Sequence, residues 1–215
     1  MDADAVELRV LGCLLEKQRT TPDQYPLTLN ALRNACNQTT NRDPVVAYDE
    51  AEIHEALQRL ARRGWTRLAS GAGSRAAKYR QLFDDALGLP DDQTAILCAL
   101  MLRGAQTPGE LKQRTERLHR FVDLADVHST LDELGRRELV ERLDRRPGQK
   151  EERYRHLLGE DAHGEDAHDD RAATPLAAAP PRDASPGLEA RVAVLETGLR
   201  ELRGELDSLR ARLRD

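Results

Sequence analysis

Four asparagines, Asn30, Asn34, Asn37 and Asn41, recur at spacings of four, three and four residues. On one uninterrupted helix they would line a single face with amides. An asparagine in a major groove can hydrogen-bond adenine through both ends of its amide, and Arg33 and Arg42 nearby can hold phosphates. The competing use is local. Asx side chains cap and bridge turns, and Asn30 and Asn37 can serve the turn that leads into the run NRDP at 41–44.

A second set of candidates is cationic. Arg62 and Arg63 end one helical pattern, and Arg136 and Arg137 end another, where they either touch phosphate or compensate a helix dipole. The amino-terminal halves of those same patterns carry Asp49, Glu50, Glu52 and Glu55, and Asp123 and Asp126. Those acids suit caps and repel phosphate. Beyond each pattern the positive charge gathers around a turn: Arg67, Arg75, Lys78 and Arg80 in one place, and Arg142, Arg145, Arg146, Lys150, Arg153 and Arg155 in the other. Arginines at a hairpin tip can lie along phosphates or enter a minor groove, and the same charges can simply keep a ribbon edge soluble.

For catalysis and metals the search is largely negative. The chain has no GxSxG, GxxxxGK[ST], HExxH or GxGxxG run, so a non-enzymatic protein without a cofactor is expected. His163 and His168 lie in an acidic stretch that offers a metal no fixed geometry. Cys13, Cys36 and Cys98 show no CxxC spacing, and Cys13 and Cys98 sit among leucines as small core residues would.

Net charge limits the partners. The 215 residues hold 33 Lys plus Arg against 38 Asp plus Glu, and residues 159–187 alone hold 2 basic against 7 acidic. The rest is balanced, so any DNA contact must come from local patches rather than from a basic domain. The start, Met-Asp-Ala-Asp, lacks the basic residues of a signal peptide, and the apolar run 10–15 is too short to span a bilayer. A cytoplasmic protein away from membranes is expected.

The elements that carry these residues come from an internal duplication. DEAEIHEALQRLARRG at 49–64 aligns without a gap with DLADVHSTLDELGRRE at 123–138, and GSRAAKYR at 73–80 aligns with GQKEERYR at 148–155. Each copy reads as three helices, the second starting after Thr28 or Thr107 and the third after an Asp cap, then two short strands around a glycine-containing turn. The expected fold is mainly α with small β-hairpins: two tandem winged helix-turn-helix domains at 1–88 and 89–158. Residues 159–187, acidic and then rich in Ala and Pro, read as a disordered linker. Leu188, Val192, Leu195, Leu199, Leu202, Leu206, Leu209 and Leu213 then alternate steps of four and three, the seam of a coiled coil at 188–215. With Val192 and Leu199 at a positions, Arg191 faces Glu196 and Glu205 faces Arg210 across a parallel pair, which favours a homodimer.

The run YPLTLNALRNACNQTTNRDPV at 25–45, with the duplicated pattern, resembles the YceH-like family of uncharacterised bacterial proteins. The likeness covers 5–158, and the carboxyl-terminal heptads look like the tail that many members carry. It implies a tandem winged-helix fold in the cytoplasm and supplies no enzymatic activity. The function expected from these readings is double-stranded DNA binding through the hairpins and part of the helix-turn-helix surface. The alternative is a scaffold whose domains dock other proteins.

Overall fold

Local capping sets where the helices begin. In the computed structural model, which describes residues 2–69, 76–145 and 151–159, α1 spans Ala5–Thr20, α2 Leu29–Cys36 and α3 Glu50–Arg62. Asp4 and Asp49 accept from the backbone N–H three residues on, and the side chains of Glu7 and Glu52 accept from the caps' own N–H groups. These are two complete capping boxes. Thr28 Oγ1 accepts from the Ala31 N–H at 3.2 Å. The order then repeats as α5 (Asp91–Arg103), α6 (Pro108–Thr115) and α7 (Leu124–Arg136). Thr107 and Glu110 form a third capping box, with Pro108 at the first helical position. At α7 the box is open: Asp123 Oδ1 accepts from the Asp126 N–H at 2.9 Å, while the Asp126 carboxylate accepts from the Val122 N–H at 3.1 Å.

A ribbon follows the third helix of each half. β2 (Thr66–Leu68) pairs antiparallel with β3 (Lys78–Gln81), and β4 (Val140–Leu143) pairs antiparallel with β5 (Arg153–His156). The first ribbon carries a third strand that the sequence did not suggest, β1 (Leu27–Thr28), in the order β1-β3-β2. In the second half the same place holds a single antiparallel bridge between Gln106 and Tyr154. A short helix, α4 (Phe83–Leu87), links the halves and ends at Gly88 with φ of 57°, the left-handed conformation that a side chain would strain. The architecture is thus α+β, helices with small antiparallel sheets. The expected linker and the heptad seam from Leu188 to Leu213 lie outside the described residues.

The two first helices do more than open their halves. In α1 every residue from Glu7 to Leu15 is buried, and in α5 every residue from Gln93 to Leu102. A helix covered on all sides belongs in an interior. The two pack on each other, and one hydrophobic core runs from Leu8 and Leu11 through Ile53, Phe83 and Leu97 to Leu131 and Leu158. Gly12 sits at this contact, where a Cβ would lie 2.9 Å from Leu102 Cγ and 3.3 Å from Met101 Cβ. Its carbonyl accepts from Cys98 Sγ at 3.4 Å. All three cysteines are buried, and burial pushes the Cys98 thiol well above its ordinary range. Tyr154 is buried and Tyr79 packs partly buried against the core. Among the described residues no helix is long and apolar enough to cross a membrane.

Candidate nucleic-acid interface

The amides do not form one helical face, because α2 stops at Cys36. Asn30 and Asn34 are exposed on α2. Asn37, just past its end, bridges to the backbone of Tyr48: its Nδ2 donates to the Tyr48 carbonyl at 2.8 Å and its Oδ1 accepts from the Tyr48 N–H at 2.9 Å. Asn41 lies in a loop with φ of 61° and accepts from the Arg103 guanidinium. Asn30 accepts from Arg33 at 2.9 Å. The bridging use of an Asx side chain holds for Asn37 alone, while Asn30 and Asn41 accept from arginine side chains.

Arg42 is a correction. Expected beside a phosphate, its side chain is wholly buried, with both guanidinium NH2 groups on the Glu16 carboxylate at 3.1 and 2.6 Å and Nε donating to the Ala35 carbonyl at 3.1 Å. Further bonds run to the Asn41 carbonyl at 2.8 Å and to Gln38 Oε1 at 3.1 Å. No donor is left to face solvent. A pair so enclosed needs this saturation, since an unmatched buried charge is strongly destabilising. Burial pushes the Glu16 carboxyl up, but hydrogen bonding to Arg42 and its charge more than reverse this and hold it below the usual glutamate value. A lowered folded-state value means that this stability is present above the unfolded value near 4.5 and is lost as pH falls through the folded one. Acid unfolding of the wild type should therefore carry a stability loss below that pH that Glu16→Gln removes, read as the change in urea midpoint between pH 6 and pH 3.5.

The arginines at the helix ends divide. Arg62 is exposed and has no partner among the described residues, whereas Arg63 lies 3.6 Å from Glu7 and stacks its guanidinium 5.5 Å from the Trp65 ring centre. Arg33 pairs with Glu50 at 3.3 Å. Arg136 donates to the Asp132 carbonyl at 3.4 Å, and Arg137 donates to Gln93 at 2.7 Å and to the Leu87 and Gly88 carbonyls at the end of α4. Arg137 therefore acts as a cap across the two halves.

The ribbons give the informative contrast, because the duplication places them in the same register. Arg67 stands opposite Arg80 in the first ribbon, and Glu141 opposite Arg155 in the second. In the second, Arg155 donates to Glu141, and Arg142 and Arg145 lie 3.3 and 3.5 Å from Glu152. Each of these three arginines has an acidic partner. In the first, neither Arg67 nor Arg80 has an acid among the described residues, and the half-buried Arg80 keeps its Nε buried without a hydrogen bond. Like charges directly across a strand pair destabilise it, and a buried unmatched donor adds to the cost. Lys78 is exposed on the same β3 strand, and Arg153 is half-buried on β5. Arg75, Arg146 and Lys150 lie outside the described residues.

Comparison with known proteins places this architecture among relatives. Residues 3–149 match the family profile described as "Protein of unknown function, DUF480". Over 216 aligned residues, 97% of this chain and 96% of the relative, it is 46% identical to the UPF0502 protein YceH of Salmonella paratyphi B. The identity and coverage are the same for the proteins of that name from Salmonella agona and Salmonella typhi.

Proposed function

The chain belongs to the DUF480 family of proteins of unknown function, and since that membership carries no activity we propose from its own residues that it is a non-enzymatic, cytoplasmic DNA-binding protein. Its halves are tandem winged helices, and a parallel coiled coil at 188–215, joined through a disordered linker, makes it a homodimer. Double-stranded DNA is held through phosphates by the first ribbon and the end of α3. The observation that carries this reading is the like-charged Arg67–Arg80 pair, at a register position where the second copy has an ion pair. A phosphate between these guanidinia supplies the missing negative charge.

Arg67→Glu converts the first ribbon to the arrangement of the second and tests the reading with the fold intact. Anisotropy titrations of a mixed DNA duplex should show weaker binding at every salt concentration, with the slope of log affinity on log salt reduced by about two, one for each cation withdrawn from phosphate. Thermal stability should hold or rise by up to about 1 kcal/mol, because a repulsive cross-strand pair becomes attractive. Unchanged affinity and slope would remove the first ribbon from the interface. For the dimer, Leu199→Asp with Leu206→Asp should sediment as a monomer, and a persisting dimer would refute the seam.

One feature favours the scaffold reading. Val122 is 84% and Leu124 48% exposed at the entry to α7, an apolar step without cover among the described residues. If the wild type fails to bind duplex DNA at low salt, this step is the place from which a protein partner would be sought.

A further inference from the structure

A groove of about 910 Å³ opens between the carboxyl-terminal halves of α1, α5 and α6 and the loop at 37–41. Its size is that of a small-molecule site, yet its lining is mostly polar and cationic rather than apolar. Lys17, Arg103, Arg114 and Arg117 face it, against one lining carboxylate, Glu16. That carboxylate is already matched by the buried Arg42. Arg103 is half-buried and hydrogen-bonds only the neutral amide of Asn41, and Arg117 is exposed without a partner among the described residues. Burial pulls the Arg103 pKa down, and the nearby guanidinia of Arg114 and Arg42 pull it further. Arg114 pairs with Glu110 on its own helix at 3.3 Å and Lys17 lies 3.5 Å from Glu16, which leaves Arg103 and Arg117 as the groove cations with no ion pair among the described residues.

The wall opposite these cations is held in place. Arg42 ties the loop to α1 and α2, the Asp43 N–H donates to the Leu102 carbonyl at 3.0 Å, and Arg9 donates to the carbonyls of Cys36 and Pro44 at 3.2 and 2.8 Å. Asn41 is kept left-handed at φ 61°. Such a loop need not be ordered on binding, which lowers the cost of association. Thr39 and Thr40 of the loop line the groove, and Leu102 and Leu118 supply an apolar stretch of its lining. None of the ribbon residues lines it.

We propose that this groove binds a small organic phosphate of mononucleotide size, its phosphates held by Arg103 and Arg117 with Arg114 and Lys17 beside them, and its organic body against Leu102 and Leu118. Arginine forks match phosphate oxygens in pairs, and the threonine hydroxyls can add further hydrogen bonds to them. The test is calorimetric titration of the full-length protein with ADP and with pyrophosphate, against sodium sulfate at matched ionic strength. Both phosphates should titrate to saturation, with affinity at least tenfold weaker in Arg103→Gln/Arg117→Gln and unchanged in Arg62→Gln. A sulfate response equal to that of ADP, or a double variant that titrates like the wild type, overturns the site. Should the double variant fail to fold, Arg117→Gln alone, on an exposed side chain, carries the same test. The same phosphate chemistry occurs along DNA, so duplex affinity is measured in parallel. A variant that loses ADP and keeps DNA supports a free ligand. Loss of DNA binding by that variant, in a protein that never bound ADP, assigns the groove to nucleic-acid phosphate instead and overturns the proposal.

Discussion

Arg42→Ala should lower the unfolding free energy by about 3–5 kcal/mol, measured from urea midpoints at pH 7, among the largest single-residue effects expected in the chain. The magnitude follows from what remains behind. Glu16, whose side chain is 17% exposed, loses both of its hydrogen bonds to Arg42 and keeps its charge, with Lys17 at 3.5 Å as its one remaining cation among the described residues. The carbonyls of Ala35 and Asn41 lose the bonds that Arg42 gives them. Uncompensated buried groups cost more than the net worth of the bonds they made. A cycle separates this from simple loss of packing: Arg42→Met with Glu16→Gln should lose clearly less than the sum of the two single changes, because no charge is then left alone. A loss below about 1 kcal/mol for Arg42→Ala would mean that water reaches Glu16 freely and that the pair does not pin the loop.

Arg42 also shows where the sequence ceased to be informative. Helix starts were legible because a cap is a bond between a side chain and a backbone N–H three residues away, so Asp49, Thr107 and Asp123 mark their own positions. The ribbon contrast was legible in principle, since aligning 49–64 with 123–138 already sets Arg67 against Glu141. The burial of Arg42 was not. Its acid lies 26 residues earlier, on α1, and nothing in local spacing distinguishes a guanidinium turned inward from one turned to solvent. The groove shares that origin, because residues from α1, a loop, α5 and α6 meet only after the halves pack. The helix packing does leave a signal in the sequence. Leu8, Leu11 and Leu15 mark one face of α1, but Val10, Cys13 and Leu14 carry apolar surface round to the other side. The run ILCALML in α5 does the same. Apolar character around a whole helix calls for a partner on every side.

That partner is the other half of the molecule, and Gly12→Val tests it. Even a Cβ at residue 12 would stand 2.9 Å from Leu102 Cγ, an atom fixed within a buried side chain rather than at a flexible tip. Valine adds two methyl groups beyond that Cβ. Overpacking of this kind costs about 1–3 kcal/mol, and the upper end is expected because both walls are helices. Glycine in a helix interior is itself unfavourable by about 1 kcal/mol against alanine, so Gly12→Ala should lose less, part of its clash being offset by propensity. The readout distinguishes a shared core from two independent ones. Trp65 is the only tryptophan of the chain and lies in the first half, 5.0 Å from Phe83 between ring centres, while far-UV circular dichroism sees the helices of both halves. With one core through α1 and α5, Gly12→Val should shift the fluorescence and dichroism midpoints together. Midpoints that separate, with the dichroism keeping a late phase at its wild-type position, would show that the second half stands without the first.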